Sequence, residues 1–423
     1  MTDVFDSARQ HFVEGLASSQ AGQFQAAETS FEASLALVPA RPSTLTNLGA
    51  VRIRLEKFDL ALVALTQACE LDDTSAPAWG YRGQALLAQK NPAAALDCLL
   101  RAVALAPDQW LYWQLRSEAH FALDQSQQAL QALDQVLALD PQHGLAWSNR
   151  GMLLRDLRRP QEAAISFQKA VALGNNPEIN TFYLASLQGG AGEGAETAMA
   201  AAPALAPRQY VEQLFNDYAD AFSSHLVKNL RYNGHELLVS WLRKPQNHPP
   251  PARFGRVLDA GCGTGLCGRL IRPVADYLEG VDLAESMVAR ARETGIYDAL
   301  YHADATQHLQ STQQGFDVIL AADVFNYVGD LAQIFAAAAR ALNPQGLLCF
   351  TVERAESVSG RAEMQLLPSL RYAHTETYVR RMASAHGLVV RDLFTAPIRE
   401  DAGVPLQGLI VFLSKPVGAA PAA

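Results

Sequence analysis

The chain has 423 residues, more than one ordinary hydrophobic core absorbs, so at least two domains are expected. With 49% hydrophobic and 18% charged residues it is too apolar for a disordered chain. Its formal net charge of −9 lacks the basic excess that binding a phosphate backbone requires, so nucleic acid is not an expected partner.

Read from its start, Met1-Thr2-Asp3-Val4-Phe5-Asp6 carries neither the basic region nor the apolar run of a secretory signal. A 34-residue period follows. Alanine recurs at 27, 61, 95, 129 and 163, and leucine at 37, 71, 105, 139 and 173. Small residues recur at Gly15, Gly49, Gly83, Ser117 and Gly151, and large ones at Phe31, Leu65, Leu99, Leu133 and Phe167. Trp79, Trp113 and Trp147 open three units, and Pro39, Pro107 and Pro141 close three. Each unit reads as two helices that approach closely at the small residues, and units that cannot bury an apolar face alone stack into a solenoid. This resembles the tetratricopeptide repeat (TPR), over five units and a degenerate capping unit from Asn180, and implies a solenoid over 8–185. The mid-repeat aromatic, Phe24 and Phe58, becomes Pro92, Ser126 and Pro160 later. A protein or peptide bound in the groove is the expected partner, with Arg82, Arg116 and Arg150 either forming a basic ladder for an acidic ligand or pairing with nearby acids. The front portion up to Leu205 holds 14 basic and 21 acidic residues, so most of the acidity belongs to this arm.

Residues 186–207 are rich in Gly, Ala and Pro and read as a linker, and 208–250 as a helical, lid-like segment that contains Tyr218 and His225. From 251 to 415 short β-rich runs alternate with helices, which argues for a doubly wound α/β sheet. The expected strands are 256–260, 277–282, 299–303, 316–321, 346–352, 388–394 and 408–413; a disordered tail at 416–423 is expected after them. The five cysteines, Cys69, Cys98, Cys262, Cys267 and Cys349, form no CxxC or Cys/His cluster, so neither a disulfide framework nor a metal site is expected. No stretch nears the roughly 18 uninterrupted apolar residues of a membrane span, and a reduced, cytoplasmic, soluble protein without membrane contact is the expectation.

The first strand of the rear part runs into Asp259-Ala260-Gly261-Cys262-Gly263-Thr264-Gly265. Alternate glycines let the backbone turn tightly and come close to a ligand. The second strand ends in Asp282, whose carboxylate can accept both hydroxyls of a ribose, and the third in Asp304, placed to accept from an adenine amine. Gly263-Thr264-Gly265-Leu266-Cys267-Gly268 also satisfies the dinucleotide fingerprint GxGxxG, which would make the protein a nicotinamide-dependent oxidoreductase. Anchoring the turn on Gly261 instead brings Asp259 to the strand end, where it can meet an ammonium; ammonium, ribose and adenine together describe S-adenosylmethionine.

Residues 256–413 resemble the class I, Rossmann-like S-adenosylmethionine-dependent methyltransferases, with Asp282-Leu283-Ala284-Glu285-Ser286-Met287 and Leu342-Asn343-Pro344-Gln345-Gly346 adding to the match. The whole chain resembles bacterial TPR-containing methyltransferases, in which a segment like 214–226 precedes the catalytic domain and carries acids where Asn216 and Ser223 stand here. The resemblance implies a seven-stranded sheet of order 3-2-1-4-5-7-6 with the last strand antiparallel. It implies S-adenosyl-L-methionine as cofactor, held by Asp259, Gly261, Cys262, Gly263, Asp282, Leu283, Met287, Asp304, Ala305 and Tyr218. On the acceptor side Asp323, Asn326 and Tyr327 follow the fourth strand; Asp323 could face the acceptor or cap a helix. Glu353, Arg371, Tyr372 and Arg399 are candidates for pocket lining, and His374 for a base. The expected activity is methyl transfer in line to an oxygen or nitrogen, with the TPR arm recruiting a protein or a protein-borne substrate. The alternatives are a small-molecule O-methyltransferase for a carboxylate or phenol whose repeats serve assembly alone, and a non-catalytic adaptor with a vestigial pocket.

Overall fold

A computed structural model describes residues 2–188, 203–219, 231–244, 253–356, 363–401 and 403–418. They form two compact units, divided between Asn180 and Thr181.

The first unit is five helix pairs: α1 (Thr2–Gln20) with α2 (Phe24–Leu37), α3 (Pro42–Arg54) with α4 (Phe58–Leu71), α5 (Ala76–Ala88) with α6 (Pro92–Leu105), α7 (Trp110–Ala122) with α8 (Ser126–Leu139), and α9 (Gly144–Asp156) with α10 (Pro160–Ala172). A further helix, α11 (Pro177–Gln188), spans the division. The small-to-large beat is a packing rule. A Cβ on Gly15 would lie 2.6 Å from Phe31, on Gly83 2.7 Å from Leu99, and on Gly151 2.5 Å from Phe167. Glycine is required there because the partner ring or branch occupies the Cβ position of the facing helix. Where the fourth unit has Ser117, the hydroxyl donates to the Ala129 carbonyl at 3.0 Å. The variable position Phe24, Phe58, Pro92, Ser126, Pro160 is the first residue of the second helix of every pair, where proline's missing N–H costs nothing.

One periodic feature has no sequence signal. Gly22, Glu56, Lys90, Asp124 and Arg158, 34 apart, close the first helix of each pair at φ values of 73°, 56°, 58°, 58° and 59°. Glycine, the residue this conformation favours, stands only at the first.

The arginine series packs on tryptophans, and Arg150 also pairs with an acid. Arg82, Arg116 and Arg150 are half-buried and stack over Trp79, Trp113 and Trp147 at 5.6, 5.2 and 5.8 Å. Arg150 bonds to Asp134 of α8 at 2.8 Å and to Ser166 of α10 at 2.9 Å, and Arg116 donates to His120 at 3.3 Å.

In the second unit, α12 (Arg208–Tyr218) and α13 (Gly234–Arg243) precede a sheet of β1 (Phe254–Ala260), β2 (Ala275–Asp282), β3 (Ala299–His302), β4 (Phe316–Ala321), β5 (Leu342–Arg354), β8 (Val389–Asp401) and β9 (Val404–Ser414), with a small hairpin of β6 (Met364–Leu366) and β7 (Tyr372–His374). Strands β3, β2, β1, β4 and β5 are parallel neighbours in that order; β9 runs antiparallel between β5 and β8. This is the expected 3-2-1-4-5-7-6 arrangement, counting β8 and β9 as sixth and seventh. The hairpin is additional: β7 pairs with Glu353 and Arg354, on the edge of β5 that β4 leaves beyond Phe350.

Helices α14 (Leu266–Ile271), α15 (Glu285–Glu293), α16 (Ala305–Ser311), α17 (Ala332–Ala341) and α18 (Glu376–Ala385) connect the strands. Alternate residues feed two cores, one on each side of the sheet. Leu258, Ile319 and Phe350 pack with Phe335 of α17 and Val379 of α18; Val257, Val318 and Cys349 pack with Leu238 and Leu242 of α13. Burial on both faces is the reason these strands read as continuous apolar runs.

The expected linker begins inside α11 at Ser186, and its centre, 189–202, lies outside the described residues, as do 220–230, 245–252 and the tail from 419. Its end is docked. Leu205 bridges Val328, Ala206 N–H donates to the Tyr327 carbonyl at 3.0 Å, and the Gly329 and Asp330 N–H groups donate to the Ala204 carbonyl.

Candidate active site

The turn from β1 into α14 has Gly261, Gly263 and Gly265 at φ of 68°, 52° and 89°. The turn is tied to the end of β2: Gly261 and Cys262 N–H donate to the Val281 carbonyl at 2.7 and 3.0 Å. Asp282 clamps it from both oxygens, Oδ2 accepting from Gly263 N–H at 2.8 Å and Oδ1 from Ala284 N–H at 2.9 Å. Burial raises the Asp282 carboxyl's pKa, and N–H donation from Ala284, Gly263 and Leu283 works against that. Leu283 turns its carbonyl to His302 at 3.0 Å. Asp304 is the N-cap of α16: its Oδ1 accepts from Gln307 N–H at 2.9 Å, and Ala305 is the first helical residue. Thus Asp282 and Asp304 sit at the C-terminal ends of the neighbouring strands β2 and β3, beside the glycine turn.

Three cofactor-side residues lie deeper than expected. Cys262 is buried, which pushes its thiol's pKa up. Met287 is fully buried and packs with Ala284, Ala219 and Phe215 of α12. Asp259 is 1% exposed, and its Oδ2 accepts from the Tyr297 hydroxyl at 2.6 Å. Burial raises its carboxyl to about 6, against the opposing Tyr297 bond. The strand-end acid expected to meet an ammonium is instead an internal group, because β1 continues to Ala260 and Tyr297 covers it. Tyr297 also accounts for the third glycine of the fingerprint: a Cβ on Gly268 would overlap its hydroxyl. Tyr297 carried no motif and was not legible in the sequence.

Helix α12 is fastened over this region by Asn216, whose Oδ1 accepts from Ser286 N–H at 3.1 Å and from the Ser286 hydroxyl at 2.6 Å, in the first turn of α15. The side chain of Tyr218 lies outside the described residues, as do Ser223 and His225.

Beyond β4 the acceptor-side residues converge. Asp323 stands at φ 61°, a strained conformation for a side-chain-bearing residue, with its N–H on the Thr351 hydroxyl at 2.9 Å. Its Oδ1 accepts from Arg399 at 3.1 Å and from the Asn326 amide. Arg399 also donates to Glu353, and Asn326 accepts from Glu353 N–H at 3.0 Å. Arg371 Nη1 lies 3.6 Å from Asp323 Oδ2 and 3.7 Å from Glu353 Oε1, makes no hydrogen bond, and its guanidinium stacks on Tyr327 at 5.5 Å. Two acids and two guanidinium groups therefore meet here, Glu353 and Arg399 buried, Asp323 and Arg371 half-buried. A register shift between Pro397 and Arg399 on β8 accompanies the inward placement of Arg399, which is 6% exposed. Asp323 is not a helix cap, since the short helix Phe325–Tyr327 takes no side-chain cap. Tyr232, just before α13, joins the group: its buried hydroxyl faces Thr351, Asp323 and Arg371, without a hydrogen bond of ordinary length. The cluster adjoins the glycine turn, because Val324 fills the space where Gly261 would carry a Cβ.

His374 does not join it. It is fully buried in β7, with Nε2 2.9 Å from the Gly329 carbonyl and its ring stacked on Tyr378 at 5.5 Å. Its contacts are with Gly329 and Tyr378 rather than with Asp323 and Tyr327, and burial lowers its pKa to about 4, which weakens it as a base. Tyr372 is likewise buried, donating to the Pro203 carbonyl.

Residues 228–392 match the family described as a methyltransferase domain, and residues 76–109 and 115–177 match tetratricopeptide repeat families. The ubiquinone biosynthesis O-methyltransferase of Hydrogenovibrio crunogenus is 31% identical over 102 residues, which are 22% of this chain and 41% of the relative. The malonyl-[acyl-carrier protein] O-methyltransferase of Enterobacter lignolyticus is 33% identical over 124 residues, 29% of this chain and 45% of the relative. The chain thus spans less than half the length of these relatives. Among solved structures, the N-methyltransferase NodS from Bradyrhizobium japonicum WM9, in complex with S-adenosyl-l-homocysteine, aligns over 49% of this chain and 98% of its own at 18% identity, with a TM-score of 0.38.

Proposed function

We propose that this chain, which carries tetratricopeptide repeats and a methyltransferase domain, is an S-adenosylmethionine-dependent methyltransferase acting on an oxygen or nitrogen acceptor, with the repeats recruiting a protein or a substrate borne on one. The observation that supports this most is the pair Asp282 and Asp304 at the ends of β2 and β3, beside a turn of three positive-φ glycines.

The donor set fits the cofactor. Asp282 has lone pairs left for ribose hydroxyls beyond its backbone bonds, and Asp304 has an oxygen beyond its cap for an adenine amine. Asp259 acts from behind, fixing Tyr297 against α14 and so the shape of the turn. The oxidoreductase alternative loses its main support, because Gly268 is explained by Tyr297 without any phosphate. When bound, the cofactor's sulfonium supplies an electrophilic methyl group. The chain's own task is then to orient the acceptor and exclude water. The cluster of Asp323, Glu353, Arg371 and Arg399 is suited to that task, as is α12 held over α15 by Asn216.

Ultraviolet crosslinking of the full-length chain with methyl-tritiated S-adenosylmethionine tests the reading. Labelling that saturates and that Asp282→Ala abolishes is expected; no labelling, or labelling indifferent to Asp282→Ala, contradicts it. For recruitment, excess of the isolated protein partner should inhibit methylation of a protein-borne acceptor and leave a free small acceptor untouched.

A further inference from the structure

We infer that the acceptor is a carboxylate, methylated on oxygen, and that Arg371 and Tyr232 are the groups that recognise it; this rests on the methyltransferase reading above. Two observations carry it. The first is the unused donors. Tyr232, 4% exposed, has a hydroxyl that faces Thr351 without a hydrogen bond of ordinary length, and Arg371 Nη1 makes no hydrogen bond either, lying 3.6 Å from Asp323 and 3.7 Å from Glu353. Buried donors without partners are rare in folded chains, and two of them in one place match a ligand that offers oxygen lone pairs.

The second is charge. Asp323 and Glu353 are both engaged by Arg399, and Arg371 balances the remaining charge, so the cluster is neutral as it stands. A carboxylate placed between it and a sulfonium makes the closed site neutral overall, whereas an ammonium acceptor would bury an additional positive charge.

The reaction itself asks for no base. A phenol or an ammonium must give up a proton before its lone pair can attack, and a carboxylate need not. The step balances on its own: a carboxylate lone pair forms the C–O bond, the C–S bond breaks, the pair returns to sulfur, and no proton moves. Sulfonium and carboxylate become thioether and ester, and the annihilation of charge is favoured in a low-dielectric site.

The product's chemistry tests the inference. Full-length protein, methyl-tritiated S-adenosylmethionine and a bacterial extract as acceptor pool are incubated, and the product is treated with alkali, which releases methyl esters as volatile methanol and leaves ethers and methylamines intact. Volatile counts that require the enzyme are expected, falling roughly tenfold or more in Tyr232→Phe, which removes one hydroxyl, and further in Arg371→Gln. By saturation-transfer NMR on the protein loaded with S-adenosylhomocysteine, benzoate should bind in preference to phenol and benzylamine, and Arg371→Gln should abolish the preference. Alkali-stable label, no label although the donor binds, or preference for benzylamine or phenol overturns the carboxylate assignment and leaves the methyltransferase reading standing. Failure to bind the donor overturns both.

Discussion

Val324 occupies the space that a Cβ on Gly261 would need, so the first glycine of the turn and the residue after Asp323 are fitted to each other across the top of the sheet. Gly261 also stands at φ 68°. Gly261→Ala should therefore lose stability twice, about 1–2 kcal/mol for the left-handed conformation and about 1–3 kcal/mol for the overlap. Denaturant unfolding should show the loss, and Val324→Ala added to it should recover only the second part. Full recovery in the double variant would mean that the backbone conformation is unimportant.

The Asp259–Tyr297 pair predicts a pH-dependent cost. The Asp259 carboxyl is raised to about 6 in the folded chain, so ionising it costs stability as pH climbs from near 4 through 6, and the cost is complete above that. Tyr297 donates to the carboxylate and lessens the cost. Tyr297→Phe should then destabilise by about 1–3 kcal/mol at pH 7.5 and by less at pH 4.5, where the acid is protonated in the folded state. Melting curves at the two values decide it; an equal loss at both would remove the carboxylate from the explanation.

Asn216 caps α15 from another helix. Asn216→Ala should cost about 0.5–2 kcal/mol and hasten proteolysis of α12, while Asn216→Asp, which sets a carboxylate at the same helix N-terminus, should keep the docking. If both variants behave alike, the Ser286 bonds do not hold α12.

In the repeats, Lys90 is exposed at φ 58° where the equivalent Gly22 pays no steric penalty. Lys90→Gly should raise the unfolding free energy by up to about 1 kcal/mol, and Lys90→Val should lower it by more than that. Asp124→Gly should gain least, since Asp tolerates this conformation better than Lys does. A loss on Lys90→Gly would show that the entropy of glycine outweighs the relief.

What was legible in the sequence was whatever a short spacing encodes. The 34-residue beat is legible because Gly15 faces Phe31 and Gly151 faces Phe167 within single helix pairs, whereas the order of strands β1 to β5 is implied by the family resemblance and by no spacing. The Asp282 and Asp304 placements followed from the same local logic. The pairings that complete the site join distant segments. Arg399 reaches Asp323 across 76 residues through a bulge at Pro397, and Tyr297 reaches Asp259 across 38. His374 looked like a base because it interrupts an apolar run, yet its burial comes from a hairpin, β6–β7, that has no pattern of its own. The burial of Asp259 is hidden for a related reason: nothing in its neighbourhood announces the tyrosine that covers it.

Calorimetric titration of the full-length chain with S-adenosylmethionine, with NAD as the competing titrant, tests the central claim most directly. The account predicts one saturable site for S-adenosylmethionine per chain, weakened at least about tenfold by Asp282→Ala, and no heat from NAD. Tight binding of NAD, or no binding of S-adenosylmethionine by the wild type, would contradict it.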